Sequence, residues 1–178
     1  MWVWGNQRNG HATALLLTKS FKIRVAGKTL FFHMACREVI PHQDSSFLYT
    51  EPPSVIGLWL AIEDANQQNG CLFTLPGSHL AGVHRRFVRQ PDDSVSFEGS
   101  MPEFNKERFL PLEVKAGSLV LLHGANVHFS NVNRSMHSRH AYSMHIIEGD
   151  KGHTWASNNW LQRDPLLPFQ PLYDSGNT

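Results

Sequence analysis

Cysteine is scarce in this chain: two residues, Cys36 and Cys71, among 178. Two thiols cannot build a disulfide framework, and they point to a reducing compartment. Long apolar runs are missing as well. No stretch approaches the roughly 18 consecutive apolar residues of a membrane span. The longest run near the start, Ala14 to Leu17, is shorter than the ~7–15-residue core of a secretory signal. The final Gly176-Asn177-Thr178 is not a peroxisomal address. The expected compartment is the cytoplasm by default, with mitochondrion and peroxisome left open. Acidic residues are absent from the first 37 positions, which hold six Lys or Arg, while residues 38–178 carry ten Lys or Arg against all fifteen acids. That asymmetry marks residues 1–37 as an atypical basic segment, expected to be loosely ordered. The net charge of +1 gives no overall pull towards nucleic acid. Helical periodicity is almost absent.

What is present is a strand pattern. Hydrophobic residues make up 41% and charged residues 17%, in a length that suits one domain with a core of its own. Phe21, Ile23 and Val25 alternate with polar or small residues, Ala26-Gly27-Lys28 reads as a turn, and Thr29 to Met34 as a second strand. Pro41 is expected to break pairing and open a loop, with Ser46 to Tyr49 extended after it. Val55 to Ile62 is the strongest strand. Both of its faces are apolar, which predicts cover on both sides, and Gly57 leaves room for a close neighbour. Further strands are expected at Cys71–Leu75, Leu110–Val114, Ser118–His123, Val127–Ser130 and Ser138–Ile147. Pro76-Gly77-Ser78-His79 forms a tight turn, and one helical turn falls near Asn158–Gln162. Residues 80–107 read as a long irregular stretch, whose Arg85, Arg86 and Arg89 are either a solvated basic loop or a contact for an anionic group. Seven or eight short strands make an all-β sandwich or barrel, and a cupin-like jelly roll has an interior wide enough for a metal.

Eleven histidines are many for such a chain. His42 and Asp44 stand two apart in an extended segment, so their side chains share a face. One imidazole and one carboxylate are two thirds of the 2-His-1-carboxylate facial triad of non-haem Fe(II) oxygenases. For the third ligand, His11 and His33 lie in the atypical segment. His79, His84, His137, His140 and His153 suit turns or surface, and His145 suits the interior as a core or supporting group. On pattern alone, His123 and His128 are equal candidates.

The runs Pro41-His42-Gln43-Asp44 to Pro52, Gly57-Leu58-Trp59-Leu60-Ala61-Ile62-Glu63-Asp64, Asn69-Gly70-Cys71-Leu72 and Pro76-Gly77-Ser78-His79 resemble the phytanoyl-CoA dioxygenase family. So do Leu122-His123-Gly124 through Val127-His128, and Ser138-Arg139-His140-Ala141-Tyr142. The resemblance covers about residues 38–173, the expected oxygenase domain, and leaves 174–178 as a tail. It implies a double-stranded β-helix (jelly roll) using Fe(II), 2-oxoglutarate and O₂. It implies hydroxylation of a small molecule, such as an acyl-CoA thioester, with release of succinate and CO₂. It also implies His42, Asp44 and His128 as the catalytic metal ligands, with His123 a neighbour that does not bind. Arg139 would hold the far carboxylate of 2-oxoglutarate, and Gln43, Trp59 and Ser130 would stand with the ligands around the cofactors. Residues 1–37 do not match the family's preceding region, and a Lys and a Met of its cosubstrate site have no counterpart. The N-terminal layer is therefore expected to be incomplete, as in a truncated form, and the alternative function is a catalytically impaired relative that retains metal binding.

Overall fold

The computed structural model describes residues 38–149, 152–166 and 168–172, together with the backbone of residues 23–31. Expectations for residues 1–22 and 32–37, including His11, His33 and Cys36, and for the tail fall outside that range. Twelve strands are described: β1 (Ile23–Phe31), β2 (Val39–His42), β3 (Thr50–Glu51), β4 (Ile56–Ala61), β5 (Leu72–Thr74), β6 (Arg85–Arg89), β7 (Val95–Gly99), β8 (Leu110–Leu112), β9 (Leu119–His123), β10 (His128–Ser130), β11 (Ala141–Glu148) and β12 (Thr154–Trp155). Eight form two four-stranded sheets, β1-β11-β4-β9 and β2-β10-β5-β8. All neighbours within them pair antiparallel. Two facing antiparallel sheets with long crossovers make the expected jelly roll. No helix among the described residues is long and apolar enough to cross a membrane.

Side-chain alternation explains where the core lies. Along β4 and the residue before it, Val55, Gly57, Trp59 and Ala61 are buried. Trp59 and Ala61 join Cys71, Leu72, Leu122 and Ala141 in one cluster between the sheets. Full burial of leucine side chains such as Leu72 and Leu122 stabilises by roughly 1.5–3 kcal/mol each. The opposite face is not covered as predicted, for Leu60 and Ile62 are exposed. A second cluster of Leu75, Phe109, Val127 and Phe129 closes the far side of the β2-β10-β5-β8 sheet. There Phe73 and Phe129 pair directly across strands and stack with centroids 4.9 Å apart.

Other expectations are corrected. Ala26-Gly27-Lys28 is no turn: β1 runs through it, and only the pairing register with β11 shifts between Val25 and Gly27. Pro41 sits inside β2 instead of ending it. Among the described residues β2 pairs only with β10, at the edge of its sheet, so the missing N–H of proline leaves no central ladder broken. Residues 80–107 contain the β6–β7 hairpin. Its polar sequence hid it, because β7 is exposed along its whole length. The hairpin is held instead by aromatic contacts, Phe47 lying against Phe87 and Phe97 at 5.9 and 5.8 Å. No helix forms at Asn158–Gln162. Asn159 bridges to Val88 and its amide donates to the Tyr49 carbonyl.

Candidate metal centre

His42 and His128 are direct cross-strand partners on β2 and β10. Opposed residues in an antiparallel pair present their side chains to one face, and the two rings lie 4.3 Å apart by centroid. Gln43 is extended, and the chain then turns into a short 3-10 segment, Asp44–Ser46. The segment expected as extended after Asp44 is therefore a turn, which curls the carboxylate back between the imidazoles. Asp44 Oδ1 stands 3.7 Å from His42 Nε2 and 3.6 Å from His128 Nε2. The three ligand atoms lie within 4.8 Å of one another, the only such group among the described residues.

The remaining ring nitrogens fix the donors. His42 Nδ1 is 2.9 Å from the Ile40 carbonyl and His128 Nδ1 is 3.0 Å from that of Asn126. A carbonyl only accepts, so both Nδ1 atoms carry the proton and both Nε2 atoms offer a lone pair inward. Burial, with His128 beside it, lowers the His42 pKa to about 4. For Asp44, burial opposes ionisation, but His128, the bond to His145 and the proximity of His42 outweigh it and hold the carboxyl well below its usual range. Neutral imidazoles and an ionised carboxylate are the donor state a divalent metal requires.

His145, on β11, approaches the other carboxylate oxygen, with Nε2 3.3 Å from Oδ2. Burial works against protonation of His145, but its bond to Asp44 raises its pKa overall. The room expected beside Gly57 is taken by this carboxylate. A Cβ there would stand 2.7 Å from Asp44 Oδ2.

These groups open into a cavity of about 450 Å³ between the two sheets, lined also by Trp59, Ser130, Arg139, Ser143 and an apolar rim of Phe47, Leu48, Trp160 and Leu161. Arg139 is 9% exposed. Its guanidinium carbon lies 5.6 Å from the Trp59 ring centroid, and its Nε has no hydrogen-bond partner. No carboxylate pairs with it among the described residues. Burial lowers its pKa, as expected for a cation with no neutralising neighbour.

Two expected residues stand elsewhere. Gln43 does not line the cavity. Its Nε2 donates to the Gly82 and Ala125 carbonyls at 2.8 and 2.7 Å, and its Oε1 accepts from the His84 N–H at 2.8 Å. Those bonds use the fully buried amide to join three loops. His123 is turned away too. Its Nδ1 accepts from the Ala125 N–H at 3.1 Å and its ring meets His79, while burial and His79 lower its pKa. The pattern missed Asn126 and Ser78. The Asn126 side chain accepts from Thr74 and donates to the Leu75 carbonyl, and the Ser78 hydroxyl accepts from the Val127 N–H at 2.8 Å. Together they lock the approach to His128. The Pro-Gly-Ser-His turn was the available signal for Ser78.

A jelly roll that carries two histidines and a carboxylate on its inner face, with a buried cation in the same cavity that no carboxylate among the described residues pairs, has the arrangement of a cupin-like non-haem metal site. The chain belongs to the phytanoyl-CoA dioxygenase (PhyH) family, whose model matches residues 20–141. Phytanoyl-CoA dioxygenase domain-containing protein 1 of Mus musculus is 54% identical over 140 residues, 76% of this chain and 48% of the relative. Phytanoyl-CoA dioxygenase 1 of Oryza sativa subsp. japonica is 51% identical over 138 residues, 78% of this chain and 48% of the relative. The chain thus spans about half the length of the curated relatives it matches. Among solved structures, the apo non-haem monooxygenase ThoJ aligns with a TM-score of 0.57 at 22% identity over 71% of this chain and 46% of its own. The epimerase SnoN, in complex with Fe3+, alpha-ketoglutarate and nogalamycin RO, aligns with a TM-score of 0.55 at 19% identity over 86% and 63%. Both likenesses bear on the fold.

Proposed function

We propose that this chain is an Fe(II)- and 2-oxoglutarate-dependent dioxygenase that hydroxylates a small molecule and releases succinate and CO₂. The observation that carries the proposal is Arg139, a buried cation without a counter-ion among the described residues, in the same cavity as a His-Asp-His donor set. Removing a guanidinium from water without a partner costs several kcal/mol, and an anionic ligand recovers that loss. A planar guanidinium pairs bidentately with a carboxylate. The donor set fits the metal: two imidazole nitrogens and one carboxylate oxygen on one face, with the cavity on the other. Family membership and the alpha-ketoglutarate named with SnoN support the same cosubstrate.

In this reading His42 and His128 present Nε2 and Asp44 presents Oδ1 to the iron. Bound Fe(II) would supply O₂ activation coupled to oxidative decarboxylation of the 2-oxo acid. Arg139, lying over Trp59, receives the far carboxylate, and Ser130, two residues beyond His128 on the same strand face, faces the same ligand. Phe47, Leu48, Trp160 and Leu161 keep water from the reacting atoms. The mostly apolar rim suits a substrate whose C–H bond enters from that side.

Anaerobic titration of the chain with Fe(II) and 2-oxoglutarate tests the proposal. The visible charge-transfer band of a bidentate 2-oxo acid chelate should appear, and admission of air should yield succinate. Absence of the band would remove the oxygenase reading. A band without succinate would establish cosubstrate binding without turnover.

A further inference from the structure

Pairing of β4 with β11 ends at Ala61 opposite Ala141. Arg139 lies two residues beyond that last pair, where the ladder no longer fixes its backbone. Among the described residues its side chain is weakly held too, with an unpartnered Nε and the Trp59 ring beneath it. Glu63, two residues past the other end of the same pair, supplies the missing constraint. The N–H groups of Ile62 and Glu63 donate to the His140 carbonyl at 3.0 and 3.3 Å. The Glu63 carboxylate then accepts from both sides of Arg139. Oε1 takes the Ser138 hydroxyl at 2.8 Å, and Oε2 takes the His140 backbone N–H at 2.6 Å and its Nδ1 at 2.8 Å. Those bonds, the backbone one first, hold the Glu63 carboxyl below its usual range. Three donors thus converge on one half-exposed carboxylate, and the single residue between them points into the cavity.

We propose that Glu63 is a positioning residue for Arg139: by clasping Ser138 and His140 it fixes the backbone from which the guanidinium enters the cavity, and so sets the preference for a 2-oxo acid bearing a second carboxylate. The inference rests on the assignment of Arg139 as the anchor of 2-oxoglutarate. Bidentate pairing is sensitive to direction as well as distance, and misplacement by about 1 Å weakens a positioned contact by up to about a hundredfold. Loosening the clasp should therefore act on the far carboxylate and leave the metal end of the ligand alone.

The test is anaerobic titration of the Fe(II)-loaded chain with 2-oxoglutarate and with 2-oxovalerate, which shares the chelating end but lacks the second carboxylate. Glu63→Ala should weaken 2-oxoglutarate about ten- to hundredfold, with 2-oxovalerate and Fe(II) affinities unchanged. Glu63→Gln, which turns one acceptor into a donor facing donors, should fall between it and the parent chain. The Glu63→Ala/Arg139→Ala double variant should be no worse than Arg139→Ala alone, because the two act through one contact. Equal weakening of both 2-oxo acids, loss of Fe(II) affinity, or additive effects in the double variant would overturn the inference. If Glu63→Ala does not fold, Glu63→Gln and Ser138→Ala carry the same comparison. A parent chain that does not distinguish 2-oxoglutarate from 2-oxovalerate would instead remove the underlying assignment of Arg139.

Discussion

Replacing Gly57 with alanine tests how closely the fold is fitted around the Asp44 carboxylate. The new methyl would stand 2.7 Å from Asp44 Oδ2, with its next neighbours, His145 Cδ2 and Leu122 Cβ, at an ordinary 3.6 Å. Only the carboxylate is in the way, so it must retreat by about 0.7 Å to reach the 3.4 Å of normal contact. That movement disturbs the 3.3 Å bond to His145 and shifts Oδ1 relative to the two imidazoles. Disturbing the support of a metal ligand typically lowers affinity ten- to a hundredfold, or about 1.4–2.8 kcal/mol. The backbone is not obstructed, and alanine is favoured over glycine within a strand by roughly 0.5–1 kcal/mol. Gly57→Ala should therefore melt close to the parent chain while losing metal affinity. Competition for Co(II) or Fe(II) against a chromophoric chelator, beside a thermal melt, reads both quantities. Gly124 supplies the contrast. A Cβ there meets the Val55 carbonyl oxygen at 2.7 Å and the Ser45 hydroxyl. A backbone atom cannot swing aside, so Gly124→Ala should lower the melting temperature itself. A Gly57→Ala chain with parental metal affinity, or one that unfolds like Gly124→Ala, would refute the reasoning.

Three further outcomes follow from the same geometry. His128→Ala should abolish metal binding and His123→Ala should spare it, as measured by the same competition; the reverse order would overturn the ligand assignment. Arg139→Met should raise the melting temperature of the ligand-free chain, because an apolar side chain replaces a buried unpaired cation, and should remove the discrimination between 2-oxoglutarate and 2-oxovalerate. Stability of the metal-free chain should fall as pH drops from about 6.5 towards 4. The folded His42 has its pKa lowered to about 4, so in that window the unfolded chain binds the proton that the folded one refuses. His145, raised by Asp44, contributes with the opposite sign, stabilising at low pH and fading as pH rises through its folded pKa. Chemical denaturation across pH should then show a flatter acid limb for His42→Gln, and for His145→Gln the loss of the decline in stability that begins as pH rises above about 6.5.

Much of this arrangement was legible in the chain. A run apolar on both faces located β4, with Gly57 marked as a close approach, and the two faces of the Ser138–Ile147 strand placed His145 on the inner side. His-x-Asp named two candidate ligands, but alternation could not separate His123 from His128. That choice depends on which histidine pairs across from His42, a contact between residues far apart in the chain. Resemblance to the family favoured His128, and the strand register agrees with it. Gln43 was misplaced because adjacency to ligands says nothing of direction: extended backbone turns it to the opposite side from His42. The β6–β7 hairpin escaped notice because neither face alternates clearly. Its partners are aromatic residues from distant segments, which no local window contains. Glu63 looked like a surface acid at a strand end, and only its juxtaposition with Ser138 and His140 gives it a task.

The cavity lies where the two sheets would otherwise pack on each other, and its walls divide the work. His42, His128 and Ser130 belong to the β2-β10-β5-β8 sheet, with Asp44 just beyond β2, while Trp59 and His145 belong to the β1-β11-β4-β9 sheet, with Arg139 just ahead of β11. A molecule chelated at one wall and anchored at the other is a rivet through the middle of the sandwich. Its binding ties the two layers together, so occupancy should slow amide hydrogen exchange in both sheets, along β4 and β11 as well as in β10.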